Sequence, residues 1–341
     1  MTSNMILMLL VMMVSPYCWY DADPHTLEKE LDQQFFATTR TRRTTVDEQE
    51  QSEQTVLSTT TKAIITPHAG YRYCGSVAAN AYNTISDNVN RVFILGPSHH
   101  QYLDNCALPH PSIHQYDTPF GPLKLDEDVL GELRGLSKSS NSGGEFGTTL
   151  TKEEDEDEHS IEMQLPLIYH QLKHRLGIQD LTIVPILVGV LSPNVERVVG
   201  RLLAKYFKDP GTLFVISSDF CHWGTRFRYT QLQKDKVKLA VKSIVFDPNT
   251  QPINAGIEAM DREGMELIVN QDSEGFKRYL QMTGNTICGR HPISVLLEIL
   301  RNVKEEYTIK FVDYNQSTLL PSVPCRNDSC VAYAAGVVDK Q

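Results

Sequence analysis

Short apolar runs that end in turn residues recur along the chain, with stretches of helical periodicity between them. Runs of this kind are typical of buried strands. Three of them end in side chains that can bind metals: Ala63–Gly70 ends in His68, Arg91–His100 in His99 and His100, and Leu213–Trp223 in Asp219, Cys221 and His222. Since ligands of open α/β sheets bind beyond the carboxyl ends of the strands, these ends predict one shared site.

The remaining elements favour an α/β fold. Further apolar runs predict strands at Leu181–Val188, Tyr307–Tyr314 and Ser329–Val337. Apolar residues at helical spacing, and one stretch rich in small residues, predict helices at Pro24–Phe36, Gly75–Thr84, Ile161–Leu176, Ser192–Phe207, Asp235–Val245, Asp261–Asn270 and His291–Val303. Gln115–Leu125, which is dense in Pro and Gly, is predicted to be a loop or hairpin. Strands that alternate with helices predict a central, mostly parallel or mixed sheet with helices on both faces.

The polarity of the chain divides it into two parts. Ala37–Lys62 is rich in Thr, Arg, Gln and Glu and has almost no apolar residues, so residues 1–62 are expected to form a partly disordered or irregular N-terminal segment. Residues 63–341 are expected to form a single α/β domain. Within this domain, the low complexity of Ser137–Thr149 predicts a flexible surface insertion.

The apolar N-terminus and the cysteines bear on the cellular compartment. Met5–Val14 is uninterrupted and apolar, but it is shorter than the about 20 residues that span a bilayer. It has the length of a signal-peptide core without the basic residues before it or a small-residue cleavage site after it. The seven cysteines are scattered and include no CxxC pair, as in reduced cytosolic proteins. We therefore expect a cytoplasmic protein without a membrane span; the alternative is the secretory pathway, where sequons at Asn315 and Asn327 would be usable.

The negative net charge disfavours nucleic acids as binding partners. The 341 residues carry a formal net charge of −10, and no long run of Lys and Arg is present. Nucleic-acid binding needs clustered basic residues, so we expect no nucleic-acid partner. The sequence also lacks GxGxxG, GxxxxGK[ST], GxSxG and HExxH, which excludes the commonest dinucleotide, nucleotide, esterase and zincin signatures.

Six residues besides His68 are candidates for the chemistry. Neighbouring residues on an extended chain point to opposite faces, so one of His99 and His100 is expected to enter the site. Asp219 and His222 could act together, one as ligand or base and the other as its partner. His159 lies where an acidic run passes abruptly into apolar residues, near an expected helix start. Cys288, before Gly289, could be a thiolate ligand or nucleophile. Histidines with one thiolate suit copper(I), iron or zinc, whereas histidines with a carboxylate suit iron(II).

Taken together, these blocks resemble the Memo family, proteins described as mediators of receptor-tyrosine-kinase-driven cell motility. The matching blocks are PHAGYRYCGS from Pro67, FILGPSHH from Phe93, DEDEHSIEMQLP from Asp155, SSDFCHWG from Ser217 and NTICGRHPI from Asn285. The resemblance implies a fold similar to class III extradiol dioxygenases. It also implies an iron or copper site at His68, His99 and Cys288, lined by Asp219 and His222.

The resemblance further implies a role in signalling. The family is linked to phosphotyrosine-containing receptor segments, to microtubule and actin organisation, and to redox control. We therefore expect a metal-binding redox and signalling protein in which Asp219, His222 and His159 serve as proton-handling residues. Two alternatives stay open: a metal-dependent dioxygenase or hydrolase that acts on a small substrate, and a metal-free phosphopeptide-binding adaptor.

The chain departs from the family's pattern at two positions near the expected site. At the N-terminus, only Cys18-Trp19-Tyr20 corresponds to the family's histidine-containing HAGSWY-like segment, and Trp19 and Tyr20 are expected to line a surface near the pocket. Gln164 stands where close relatives have a histidine.

Overall fold

The computed structural model describes residues 19–44, 61–86, 88–138, 144–173, 180–230, 252–321 and 325–341. Within these ranges the strands are β1 Thr61–Thr66, β2 Arg91–Pro97, β3 Cys106–Leu108, β4 Gln115–Thr118, β5 Gly121–Leu125, β6 Thr148–Thr149, β7 Thr182–Val188, β8 Thr212–Ser217, β9 His222–Gly224, β10 Tyr307–Gln316 and β11 Ser329–Lys340. The α-helices are α1 Pro24–Thr44, α2 Tyr71–Tyr82, α3 Glu127–Lys138, α4 Lys152–Asp157, α5 His159–Glu162, α6 Leu165–Leu172, α7 Pro193–Phe207, α8 Ile253–Val269, α9 Ser273–Thr283 and α10 Arg290–Asn302.

One mixed sheet organises the molecule, with the strand order β10-β11-β1-β8-β2-β7-β3-β6. The four central strands β1, β8, β2 and β7 are parallel, whereas β10, β11 and β3 join the sheet in antiparallel pairs. Helices α1, α2 and α6 pack together, with α2 against β1, β10 and β11, and α7 and α10 pack against each other and β8. The predicted α/β fold with a mixed sheet flanked by helices is therefore confirmed.

The central strands form the core because each contains a continuous apolar run. Every residue of β1 and β8 is buried. Phe93 on β2 stacks on Phe214 of β8 with ring centroids 4.6 Å apart. Strands covered on both faces read as continuous apolar runs rather than alternating patterns, which is why these elements were recognisable in the sequence.

The N-terminal helix is longer than the periodicity of its apolar residues predicts. Leu27 and Leu31 of α1 are fully buried in the main core, and the helix continues to Thr44 instead of ending at Phe36. No Gly or Pro interrupts residues 37–44, and extending an existing helix fixes only one residue for each hydrogen bond gained. The expectation of an irregular segment from Ala37 is therefore wrong for these eight residues, which are helical, and 45–60 lie outside the described residues.

Two further sequence predictions need correction. The helix predicted over Ile161–Leu176 is broken into α5 and α6, because Pro166 in the first turn of α6 cannot continue a helix from the residues before it. The flexible insertion predicted at Ser137–Thr149 is wrong at its end: Phe146 is 2% exposed, and β6 pairs with β3. Residues 139–143 and 174–176 lie outside the described residues.

The C-terminal helical region also differs from the prediction. Helix α8 begins at Ile253, eight residues before the predicted Asp261, and α9 was not predicted. Asp272 caps α9 by accepting a hydrogen bond from the Gly275 N–H, 2.8 Å away. The helix predicted at Asp235–Val245 and the apolar run Met5–Val14 lie outside the described residues. Among the helices that are described, none has the length and apolarity needed to cross a membrane.

Candidate metal centre

The centre lies where three neighbouring parallel strands end. His68 follows β1, His99 follows β2 and Asp219 follows β8, each two residues beyond the last residue of its strand. Because β8 lies between β1 and β2 in the sheet, the three carboxyl ends meet at one edge. The turn before α10 brings Cys288 to the same edge. The shared site predicted from the three strand ends therefore exists as a cluster.

His68, His99 and Cys288 form a group that could hold a metal ion. One ligand atom from each residue lies within 4.8 Å of the others. The Cys288 Sγ lies 3.2 Å from the His68 Nε2, and the His68 and His99 rings meet edge to face at 5.1 Å. His68 is buried, Cys288 is half-buried and His99 is exposed, so the group opens to solvent on the His99 side.

A buried hydrogen-bond network sets the tautomer of His68. The Ser217 Oγ donates to the Ser160 carbonyl at 2.7 Å and accepts a hydrogen bond from the Gln164 Nε2 at 2.9 Å. Its hydroxyl proton is thereby used, so it accepts from the His68 Nδ1, 2.8 Å away. The Nε2 lone pair of His68 is left facing Cys288, which is the arrangement that a metal ligand requires.

His99 is oriented by a carboxylate. The Glu158 Oε1 lies 2.9 Å from the His99 Nδ1, and its Oε2 accepts the His99 backbone N–H at 2.7 Å. Burial disfavours ionisation of Glu158, but the hydrogen bonds from His99 and from the Ser160 N–H outweigh it and lower its pKa to about 2. An ionised carboxylate can only accept, so His99 carries its proton on Nδ1 and its Nε2 is free to bind a metal.

Burial favours the neutral forms of His68 and Cys288. It lowers the pKa of His68 well below the usual value, and the neighbouring His99 and His222 lower it further. Burial also raises the pKa of the Cys288 thiol, as does the Asp219 carboxylate. A neutral imidazole is ready to bind a metal, whereas the thiol would have to release its proton on binding.

Asp219 joins the ligand segments. Its carboxylate accepts the His68 backbone N–H at 2.9 Å, and its own backbone N–H donates to the Cys288 Sγ at 3.2 Å. Burial raises the pKa of Asp219, and this is partly opposed by His222 and by the hydrogen bond from the His68 N–H. His222 lies close by, with its Nδ1 2.9 Å from the Phe220 carbonyl and 3.2 Å from that of Thr286. Asp219 and His222, two of the three residues predicted to handle protons, thus lie beside the ligand group.

His159 connects the centre to the protein surface. Its ring stacks on Trp19 with centroids 4.7 Å apart and on His99 with centroids 4.4 Å apart. Burial lowers the pKa of His159 to about 3, with help from His68 and His99. With His99 and Glu158 it forms a second group that could hold a metal. His100, by contrast, is exposed.

Ser217 and Gln164 are positioning residues that the sequence did not reveal. Gln164 is fully buried; its Nε2 also donates to the Pro67 carbonyl at 3.0 Å, and its Oε1 accepts from the Tyr82 hydroxyl at 2.9 Å. The sequence shows Gln164 as a lone amide among the apolar residues of MQLPL, at the position where the family resemblance already marked a departure, but neither signal points to His68. A buried amide must find hydrogen-bond partners, and here those partners hold His68.

The donor set fits a transition metal that accepts nitrogen and sulfur. Two neutral imidazoles and one thiol suit copper, iron or zinc rather than magnesium or calcium, which prefer oxygen ligands. The hydrogen bonds to the Nδ1 atoms of His68 and His99 supply the outer contacts that such ligands usually have.

Comparison with known proteins identifies the family. The family model described as "Memo-like protein" matches residues 17–337. The chain belongs to the Memo family. The match begins before Trp19, so the part of the N-terminal segment that stacks on His159 lies within the Memo-family region. The predicted membership is confirmed.

The similarity to other Memo-family proteins extends over most of the chain. Protein MEMO1 of Homo sapiens is 41% identical over 283 residues, which cover 81% of this chain and 85% of that protein. Protein MEMO1 of Xenopus laevis is 44% identical over the same shares of the two chains. MEMO1 family protein MHO1 of Saccharomyces cerevisiae is 38% identical over 300 residues, or 81% of this chain and 87% of MHO1.

A crystal structure of an uncharacterized Escherichia coli K12 protein also matches this Memo-family chain. It has a TM-score of 0.42 and 12% identity, and covers 80% of this chain and 98% of its own. That degree of likeness supports no functional assignment.

Proposed function

We propose that this protein is a Memo-type metal-binding redox and signalling protein. In this proposal it holds iron or copper through His68, His99 and Cys288, and links receptor tyrosine kinase signals to the cytoskeleton and cell motility in the cytoplasm. Its partners would be phosphotyrosine-containing receptor segments or signalling adaptors. The curated relatives named MEMO1 support the family part of this proposal.

The observation that supports metal binding is that three donor atoms lie close together and the Nε2 lone pairs of both histidines are free to bind a metal. The ligand atoms of His68, His99 and Cys288 lie within 4.8 Å of one another. Ser217 and Glu158 hold the Nδ1 proton of each histidine away from the cluster. Aligning three donors in advance removes much of the ordering cost that metal binding would otherwise meet.

The protein's own residues would control protons around the metal. The Cys288 thiol would give up a proton on binding, and the Asp219 carboxylate, with His222 beside it, is the group placed to receive it, because the His68 Nε2 would then be occupied by the metal. Asp219 and His222 lie beside the ligands and would hold or move protons there. When bound, iron or copper would supply one-electron redox chemistry, and a thiolate ligand favours the softer states of such metals.

The proposal is tested by elemental analysis of protein purified without oxygen. We expect about one equivalent of iron or copper per chain in the wild type, and loss of most of it in His99→Ala and Cys288→Ser, because each change removes a ligand. His114→Ala and Cys325→Ser are matched controls, since both side chains are exposed, and they should retain the metal. A wild-type protein without stoichiometric iron or copper would sink the metal proposal and favour the adaptor.

A metal-dependent dioxygenase or hydrolase is the second candidate. A cavity of about 740 Å³ adjoins the centre and is lined by both Glu158 and His159, so there is room for a small substrate next to a base. Under this alternative His159→Ala would abolish turnover of a small substrate while leaving the metal content unchanged. The redox and signalling proposal instead expects receptor phosphopeptide binding to depend on an intact metal centre.

A further inference from the structure

The cavity beside the metal centre has a chemistry of its own. Its volume of about 740 Å³ is typical of small-molecule sites, which span about 300–1,000 Å³. It lies between the β4–β5 hairpin, the α4–α5 region and the segment that begins at Trp19. His68, His99 and Cys288 are not among its lining residues, so its occupant would not need to be a metal ligand.

Most of the lining can contact an apolar body. Trp19, Tyr20 and Tyr116 contribute rings, and further apolar side chains come from Ile113, Pro119, Leu150, Ile161, Met163, Leu165 and Leu187. Aromatic walls bury a flat or aliphatic ligand well, and their ring faces also attract cations. A cavity of this size with such walls is unsuited to a bare metal ion.

The polar part of the lining is negative. Six acidic residues line the cavity: Asp117, Asp155, Glu156, Asp157, Glu158 and Glu162. The lining contains one lysine, Lys152, and its ammonium already lies 3.3 Å from the Glu156 carboxylate. The cavity therefore carries a surplus of negative charge toward any ligand.

Two of these carboxylates are paired with tyrosines instead of cations. Both Asp155 oxygens lie 2.6 Å from the Tyr116 hydroxyl, and Glu162 accepts a hydrogen bond from Tyr20. Burial raises the pKa of Asp155 to about 6, and burial followed by the charge of Asp155 raises the pKa of Glu162. Within the described ranges no lysine or arginine forms an ion pair with either group. Asp155 and Glu162 are half-buried, and carboxylates partly removed from water without a cation are stabilised when one arrives.

We propose that this cavity binds a small organic cation, with its ammonium or guanidinium group at Asp155 and Glu162 and its apolar body against the aromatic walls. The inference goes beyond the proposed metal-centred function and does not depend on it. The inference rests on charge complementarity, because the same carboxylates would repel an anion of the same size. Of the two kinds of ligand that fit the apolar walls, the structure thus favours the cationic one.

Matched pairs of opposite charge test the proposal by isothermal titration calorimetry on the full chain with metal removed. The probes are tryptamine against indole-3-propionate and phenethylamine against 3-phenylpropionate. We expect the amines to bind and the acids to bind at least about tenfold more weakly, because the body is nearly constant and the charge is reversed. Failure of the metal proposal would leave this result unchanged, so the two can fail separately.

Variants locate the binding. The single variant Glu162→Gln should weaken amine binding by about tenfold or more, because it removes a desolvated charge partner of the amine. The same holds for the double variant, which combines Glu162→Gln with Asp155→Asn. Lys152→Gln should strengthen amine binding by about two- to fivefold, because it removes a partly exposed cation from the lining. Glu266→Gln changes the net charge equally on the exposed face of α8 and should have no effect.

Three outcomes would overturn the proposal. The first is that neither amine binds, and the second is that the acids bind as tightly as the amines. The third is that amine binding is the same in Glu162→Gln and Lys152→Gln as in the wild type. If the double variant fails to fold, the opposite expected effects of Glu162→Gln and Lys152→Gln still decide the question.

Discussion

The hydroxyl of Ser217 fixes the orientation of His68, and Ser217→Ala tests that inference directly. Three buried groups share this oxygen: the His68 Nδ1 at 2.8 Å, the Gln164 Nε2 at 2.9 Å and the Ser160 carbonyl at 2.7 Å. Alanine keeps the Cβ and removes only the oxygen. The substitution therefore creates little space but leaves polar partners behind.

The expected loss of stability follows from counting those partners. Gln164 keeps its bond to the Pro67 carbonyl, whereas the His68 Nδ1–H and the Ser160 carbonyl lose the hydroxyl that they contact. A buried polar group left unsatisfied costs about 1–3 kcal/mol, so two of them predict a loss of roughly 2–6 kcal/mol in the free energy of unfolding. Metal affinity should fall about 10- to 100-fold, because His68 is then free to change tautomer or rotate.

Two measurements separate these effects. Urea unfolding of the metal-free protein gives the stability, and titration against a chromophoric chelator gives the affinity for iron(II) or copper(I). Ser273→Ala is the matched control: it removes a buried hydroxyl that donates to Glu298 at 2.8 Å, in a different part of the helical layer. The control should lower stability without changing metal affinity. Equal metal affinity in Ser217→Ala and Ser273→Ala would refute the role assigned to Ser217.

Three other substitutions probe different parts of the fold. Gly289→Ala would place a Cβ 2.3 Å from that of Ser218; overpacking costs about 1–3 kcal/mol, so urea unfolding should show that loss and elemental analysis a lower metal content. Phe146→Ala should lower the free energy of unfolding in urea by about 3–5 kcal/mol if Phe146 is a core residue. A loss below about 0.5 kcal/mol would instead support the sequence prediction of a flexible insertion. Burial raises the pKa of the Asp261 carboxyl from 3.8 to about 7. The folded chain therefore holds the carboxyl proton more tightly than the unfolded chain does, and it loses stability as the pH rises between these two values. Relative to Asp261→Asn, the wild type should lose about 2 kcal/mol between about pH 5 and pH 7, and parallel pH profiles would contradict this.

The sequence predicted the site residues that directly follow the central strands. The apolar runs before His68, His99 and Asp219 are long enough to specify buried strands, and parallel strands present their carboxyl ends at one edge. Cys288 was harder to place, because a turn before a late helix has no periodic signal. Its position at the centre followed from the family resemblance, and the structure places its sulfur 3.2 Å from His68.

The residues that orient the ligands could not be predicted from the sequence. In the sequence, Ser217 looks like the last residue of a strand and Gln164 like a polar residue in a helix. Ser217 bonds to Ser160, which is 57 residues away along the chain, and Gln164 bonds to Pro67, which is 97 residues away. Such contacts depend on how α5 and α6 meet β8, which local periodicity does not encode. The break at Pro166 has the same origin: apolar spacing predicted one helix, and the proline divided it.

The charge of the cavity constrains how a receptor segment could bind. A phosphotyrosine carries about two negative charges near neutral pH, and in the cavity its phosphate would lie among six acidic side chains and one lysine. Repulsion of that kind is strongest where burial excludes water, and burial already raises the pKa of Asp155 and Glu162. A phosphorylated partner would therefore have to place its phosphate outside the cavity. Since the stacked rings of Trp19, His159 and His99 connect the cavity to the centre, a cation in the cavity and an anionic partner near the centre would attract rather than exclude each other.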